Sequence, residues 1–382
     1  MVKVLHYSTH NEADGIAKYQ EQFVEAMAND ANAKVTNEFF RYSPNVVKRM
    51  SLEQKETAFM ELAATLKNFD ILHIQHELSY FEKDDFNRIV DVAHRLGKKA
   101  IVTVHTAPDA QYKTPQCNGY GPSSIVAYMR EIVEAKGFIN RHIVPMRKAD
   151  LVLVHNRNTK DNLVMRGVQT DKIHLITLPV PDVKYVPESK EIGAALQKKT
   201  GDIIIGMVGF ISRTKGVHAA VKALSYLPDH YKLALAGGVH PNGDPRYLDE
   251  ICDLVLTLGL KERVYITGYI DDDNRLNALV KECDVWVYPY DNAYYQHVSS
   301  AALNNSLANH KPTIVYPTKP FMEINQTETV MICKSPNYYE LARCIATADY
   351  ASLAKNARRY AEEHSYIRES KNLVDIYEAL VG

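Results

Sequence analysis

The chain has no apolar run that approaches the ~18–20 residues of a membrane-spanning helix. Its first ten residues, MVKVLHYSTH, contain no apolar signal region and read as a first buried strand. Neither charge is in excess: 45 Lys and Arg face 46 Asp and Glu, so no global field gathers nucleic acid. The five cysteines (117, 252, 283, 333 and 344) are odd in number, scattered and never spaced C-x-x-C. That excludes a disulfide framework and a structural zinc site, and implies a reducing, cytoplasmic setting. Low-complexity segments and short-period repeats are missing too. So are G-x-S-x-G, H-E-x-x-H and a cysteine beside a local base, and no nucleophile is nominated.

What is present is an ordinary globular composition, 46% hydrophobic and 24% charged over 382 residues, a length that argues for two domains. Short β-rich apolar runs alternate with longer helical patterns, as in parallel βαβ units. Strands are expected at 3–6, 34–40, 71–74, 100–104, 151–154 and 172–176, and again at 202–208, 231–236, 264–267, 284–288, 312–316 and 329–333. Between the two series the alternation breaks around Pro179, Pro181 and Pro187. The expected division is a first Rossmann-like domain at 1–180, a linker at 181–200, a second Rossmann-like domain at 201–364, and a final helix at 365–382. Ligands of such sheets bind outside the carboxyl ends of the strands, and two such domains suggest a cleft between them.

The most informative stretch is Gly209-Phe-Ile-Ser-Arg-Thr-Lys-Gly216. It joins the apolar run Ile203–Val208 to a helical pattern of Val217, Ala220, Val221 and Leu224. A loop with two cations and two glycines, between a strand end and a helix start, is the layout of an anion site. The helix N–H groups and dipole favour negative charge, and glycine admits a ligand to the backbone. Arg213 and Lys215, two apart, can reach one phosphate-sized group. The alternative is two solvated surface cations. The spacing is neither a P-loop nor G-x-G-x-x-G.

The Gly209–Gly216 loop and the helix after it resemble the diphosphate loop of GT-B fold glycosyltransferases, the closest match being the retaining nucleotide-sugar enzymes of glycosyltransferase family 4. Other segments are similar in the same order: Leu235-Ala-Gly-Gly238, Val264–Asn274, Asp284-Val-Trp-Val-Tyr-Pro-Tyr290, and in the first half Asp70–Glu77, Val102–Thr106, Lys148–Val154 and Lys172–Ile176. The resemblance implies an α/β fold with two Rossmann-like parallel-sheet domains facing across a cleft. It implies a last helix that crosses back to brace the first domain. The implied activity is a retaining transfer of a sugar from a UDP- or GDP-sugar, with no metal or other cofactor. Arg213 and Lys215 would hold the diphosphate and stabilise the charge that develops on it as the glycosidic bond breaks. Backbone near Tyr269 and Ile270 would meet the nucleotide base, and His105 would lie near the donor sugar. Asp271-Asp272-Asp273 has the look of a D-x-D metal site, but its place at a helix start fits capping better.

The chain departs from the family at two glutamates eight positions apart that flank the donor helix. His297 stands in the first slot and Asn305 in the second. The segment Gln296–Leu303 resembles a subgroup pattern in which Ser299 or Ser300 caps the helix and presents its N–H groups to the donor. Gly15, at the start of an amphipathic helix, stands where the family has a glycine-rich turn near the diphosphate; an ordinary turn glycine is the alternative. His76 and Glu77 end a strand on the acceptor or sugar side, and a buried charge such as Glu77 needs a partner or ligand.

The acceptor is not legible: a glycan, lipid carrier, small molecule, protein or modified nucleic-acid base all remain open, as does the oligomeric state. The basic residues along 123–148 leave peripheral contact with the inner membrane face open beside a solvated helix face. Because the glutamates are lost, a GT-B scaffold that binds without turnover, or another GT-B activity such as a nucleotide-sugar epimerase, stands as the alternative.

Overall fold

The structure is a computed structural model. It describes all residues except 13, 108–114, 117–120, 184–185, 240–243, 292, 294 and 296–298, together with the side chain of 326. Two compact units emerge: residues 1–177 with 366–382, and residues 178–365.

The first unit is a six-stranded sheet of β1 (Val2–Tyr7), β2 (Val35–Phe39), β3 (Ile71–His76), β4 (Lys99–Val104), β5 (Leu151–Val154) and β6 (Ile173–Leu175). The strand order is β2-β1-β3-β4-β5-β6 and every pairing is parallel. The central strands are buried along their length, β3 and β5 without a single exposed position, which is why they read as continuous apolar runs rather than alternating ones. The helix Tyr366–Val381 belongs to this unit and packs on the helix Gly15–Ala28. Tyr366 meets Phe23 edge-on at 5.1 Å, and the buried Tyr377 hydroxyl lies 2.6 Å from His73 Nδ1.

The second unit repeats the design with β7 (Ile203–Val208), β8 (Tyr231–Ala236), β9 (Val264–Ile266), β10 (Val285–Tyr288), β11 (Thr313–Val315) and β12 (Met331–Ile332). Its order is β12-β11-β10-β7-β8-β9, again all parallel. The helix Val217–Leu224 places Val217, Ala220, Val221 and Leu224 on one buried face against the sheet. Burial of each large apolar side chain contributes roughly 1.5–3 kcal/mol. The stretch 181–200, read from the sequence as a linker, holds the short helix Glu191–Ala195. Its Ile192 and Leu196 are buried among residues of the second unit. The basic stretch 123–148 lies in two helices, Pro122–Phe138 and Val144–Lys148, joined by a π-turn at Ile139–Ile143.

Candidate functional site

In the second sheet the chain leaves β7 toward β8 on one side and returns at β10 on the other, so β7 and β10 are the pair where the winding reverses. Open parallel sheets bind ligands at this reversal, because the loops after the two strands part and leave a crevice. The loop after β7 is Gly209–Gly216; the segment after β10 runs from Pro289 to Ser300. They are tied together: the Asp291 N–H donates to the Thr214 carbonyl at 2.8 Å. Gly216 is left-handed (φ 73°), and a Cβ there would lie 1.8 Å from the Pro289 carbonyl oxygen. A Cβ at Gly237, after β8, would lie 2.0 Å from the Gly209 carbonyl oxygen. Only glycine allows backbone to approach backbone this closely.

The two cations of the loop sit in a short 3-10 turn, Arg213–Lys215, and are held differently. Lys215 Nζ donates to the Tyr290 hydroxyl at 3.0 Å and lies 4.2 Å from the centre of the Tyr290 ring and 4.9 Å from that of Tyr295. The Tyr290 hydroxyl is also 3.0 Å from Ser300 Oγ. Ser300 Oγ in turn accepts from the Leu303 N–H at 3.2 Å as the cap of the helix Ala301–Ala308. A Cβ at Gly209 would lie 3.9 Å from Ala302 Cβ and 4.0 Å from Lys215 Cε, so the loop, the ammonium stem and the first turn of that helix border one space. Arg213 is ion-paired with Glu250, both mostly exposed, and its guanidinium lies 4.8 Å over the Tyr247 ring.

Of the other second-unit residues singled out from the sequence, Tyr269 lies beside this loop. Tyr269 is 55% exposed and its ring stacks on Phe210 at 6.0 Å, while its backbone nitrogen lies 2.8 Å from where a Cβ of Gly238 would be. Ile270 is partly buried against a core cluster of the second unit. Ser299 directly precedes the Ser300 cap. Asn305 is half-buried one turn into the helix, and its carbonyl accepts from the Asn309 side chain. His297 lies outside the described residues. Of the acidic trio, Asp272 caps the helix Asp273–Glu282 through the Arg275 N–H. Among the described residues, no group of three or more His, Cys, Asp and Glu is placed to hold a metal ion. Nor, among the described residues, is any helix long and apolar enough to cross a membrane.

The first sheet reverses between β1 and β3, and a second side-chain network spans that point. Asp14 caps the helix that Gly15 begins; it accepts from Thr9 Oγ1 at 2.8 Å and from the Tyr80 hydroxyl. Glu77 follows β3 and accepts from Thr106 at 2.7 Å; burial holds its carboxyl above the usual range, against the lowering effect of that hydrogen bond. Gly15 has open space where a Cβ would be, so backbone crowding does not require glycine there. His105, after β4, donates from Nε2 to Gln75 Oε1 at 2.8 Å and meets the Tyr19 ring edge-on at 4.9 Å. His76 is fully buried, packed between Phe81 and Phe86 with Nε2 3.1 Å from His142 Nδ1. The structure brings Glu77, Thr106 and His105 to neighbouring strand ends but keeps the His76 ring in the core.

Six histidines of this unit are held below the ordinary imidazole range, in each case chiefly by burial. His6, His142 and His155 fall to about 4, and His73, His76 and His105 well below 6.5. Neutral rings suit the hydrogen bonds they make: Asn37, His6, Gln20, Gln75 and His105 form one chain of partners.

Residues 188–364 match the family model of glycosyl transferases group 1. The matched stretch contains the loop, both its cations and the Ser300 cap. A curated relative, the D-inositol 3-phosphate glycosyltransferase of Xylanimonas cellulosilytica, is 24% identical over 180 residues. That match covers 45% of this chain and 42% of the relative, so it spans less than half of either protein. Solved structures match over nearly the whole length. Anabaena HepE in complex with UDP-glucose superposes with a TM-score of 0.71 at 14% identity, covering 99% of this chain and 100% of that one. Sucrose-phosphate synthase from Thermosynechococcus elongatus gives 0.68 at 18% identity, covering 100% and 99%. Two parallel six-stranded α/β units, matched over nearly the whole chain by these structures, make this the GT-B fold.

Sequence reasoning singled out Arg213 and Lys215 but not what holds them. Glu250, Tyr247 and Tyr290 come from other elements, and nothing local marks the first two. Tyr290 did carry a signal: it follows Pro289 directly after β10, at the reversal point.

Proposed function

We propose that the chain is a glycosyltransferase that takes its sugar from a nucleoside diphosphate donor and grips the diphosphate with Gly209–Gly216. The observation that carries this reading is the place of Lys215. Its ammonium lies at the reversal of the second sheet, on a space bordered by Gly209 and the first turn of the Ser300-capped helix. Developing charge on a leaving diphosphate is stabilised there by a fixed cation and by the positive end of a helix. Arg213, on the same turn, supplies a second cation once it exchanges Glu250 for phosphate. Backbone around Tyr269 and Ile270 meets the base, with UDP and GDP the candidate leaving groups. Ser299, Ser300 and Asn305 serve the donor, as does His297, which lies outside the described residues; Gly15 and His105 are further donor residues, and Glu77 serves the acceptor. Transfer proceeds with retention and without a metal, because the protein cations do the work a metal would do.

Titration calorimetry with UDP, GDP and ADP tests the donor assignment. Slow donor hydrolysis that releases an α-configured sugar, undiminished by a chelator, tests retention and metal independence. The second reading, a scaffold that binds without turnover, is favoured by one observation: Asn305 stands where the family carries a glutamate. Tight diphosphate binding with no hydrolysis or transfer would select it.

A further inference from the structure

Tyr290 is among the largest fully buried side chains of the molecule, yet its hydroxyl meets the one ammonium of the diphosphate loop. Its ring packs on Tyr295 at 4.2 Å and on Phe321 at 5.5 Å, so it has little freedom to move. Burial pushes the phenol up, and the hydroxyl stays protonated. A lysine ammonium can only donate, so the Tyr290 oxygen accepts from Lys215, and the same hydroxyl shares a 3.0 Å hydrogen bond with Ser300 Oγ in which either group can donate. Ser300 Oγ closes the series by accepting from the Leu303 N–H.

The two loop cations therefore have unlike partners. Arg213 is paired with a carboxylate, Glu250, which cancels its charge until an anion displaces it. Lys215 is held by a neutral hydroxyl and two ring faces, which fix the ammonium and leave its charge available. A cation fixed in advance pays no ordering entropy when the anion arrives.

We propose that Tyr290 is a positioning residue for Lys215: it holds the ammonium, without neutralising it, at the start of the helix that Ser300 caps. This rests on the diphosphate reading and deepens it. Tyr290 touches no donor atom; it acts through Lys215. Most of its side chain can be kept while the proposal is tested, because Tyr290→Phe retains the packed ring and removes only the hydroxyl.

Two measurements on the full chain decide. In a double-mutant cycle read by calorimetry with UDP and GDP, Tyr290→Phe should weaken binding by about three- to tenfold, the scale of one charge-assisted hydrogen bond. In a Lys215→Ala background the same change should alter affinity by no more than about twofold, since the partner is gone. Equal losses in both backgrounds would overturn the proposal. Nitrogen-15 NMR of the lysine ammonium groups in the free protein should show an ordered Lys215 signal that broadens or vanishes in Tyr290→Phe. An unchanged Lys215 signal would overturn it. If the wild type binds neither nucleotide, the functional reading fails, and the ammonium spectrum alone decides whether Tyr290 positions Lys215.

Discussion

Where the first sheet reverses, between β1 and β3, the bridging group is a carboxylate: Asp14 accepts from Thr9, Tyr80 and the first turn of its own helix. Where the second sheet reverses, between β7 and β10, it is an ammonium: Lys215 donates to Tyr290, which meets Ser300 at the start of another helix. The topology supplies a crevice in each unit; the loops decide its charge. Around the first crevice lie Glu77 and a set of buried, neutral histidines. Around the second lie two cations and glycines that let backbones touch. An anionic donor belongs with the second. The first is suited to hydroxyl groups, which can donate to carboxylates.

Acidification should give the largest difference between the units. The six histidines titrate near 6.5 when unfolded; in the folded first unit His6, His142 and His155 titrate at about 4, and His73, His76 and His105 well below 6.5. The unfolded chain therefore binds more protons between these values. The stabilisation is complete above pH 6.5 and is lost as pH falls toward 4. The loss is on the order of 3 kcal/mol for each of His6 and His155. Hydrogen exchange across pH 7 to 4.5 should show protection falling first in β1, β3 and β4. Equal loss in β7 and β10 would remove the contrast.

Gly216→Val should come next. It places a Cβ against the Pro289 carbonyl in a left-handed conformation, which alone costs about 1–2 kcal/mol before the clash. Diphosphate binding should disappear and the melting of the second unit fall, with the first unit unchanged. Unaltered binding would mean the loop approaches β10 less closely than described. Lys215→Ala and Arg213→Ala should each weaken nucleoside diphosphate binding by about 1.5–3 kcal/mol, the scale of hydrogen bonds to charged groups. Wild-type affinity in both would misassign the loop.

Glu250→Gln should give the smallest effect, with the opposite sign. Freeing Arg213 from an exposed ion pair worth at most about 1 kcal/mol should strengthen diphosphate binding by up to about fivefold at low salt. The gain should shrink as salt screens it. Weaker binding in this variant would show that Glu250 orients Arg213 rather than competing for it.

The fold was legible because its signals are local. Most of the strands are short apolar runs bounded by polar or glycine-rich turns, and a buried parallel strand needs nothing more. Elements shorter than two turns escaped: Pro44–Lys48, Glu191–Ala195 and Lys319–Ile324 offer too few residues for a period of 3.6 to appear. The π-turn at Ile139–Ile143 escaped because it keeps helical composition while shifting the register. The site was legible only on one side. Arg213 and Lys215 stand out within eight residues, but Glu250 lies 37 residues beyond the first and Tyr290 lies 75 beyond the second. Such pairs are made by topology, and no local pattern announces them. His76 shows the converse: a histidine at a strand end looked functional, while Phe81, Phe86 and His142 enclose it.

The central claim is that the crevice at β7 and β10 is a diphosphate grip with Lys215 at its centre. Titration calorimetry of the wild type and Lys215→Ala with UDP and GDP tests it most directly. The account predicts saturable binding of at least one nucleotide by the wild type, and a loss of about 1.5–3 kcal/mol in the variant. No binding of either nucleotide, or equal affinity in both proteins, would contradict it.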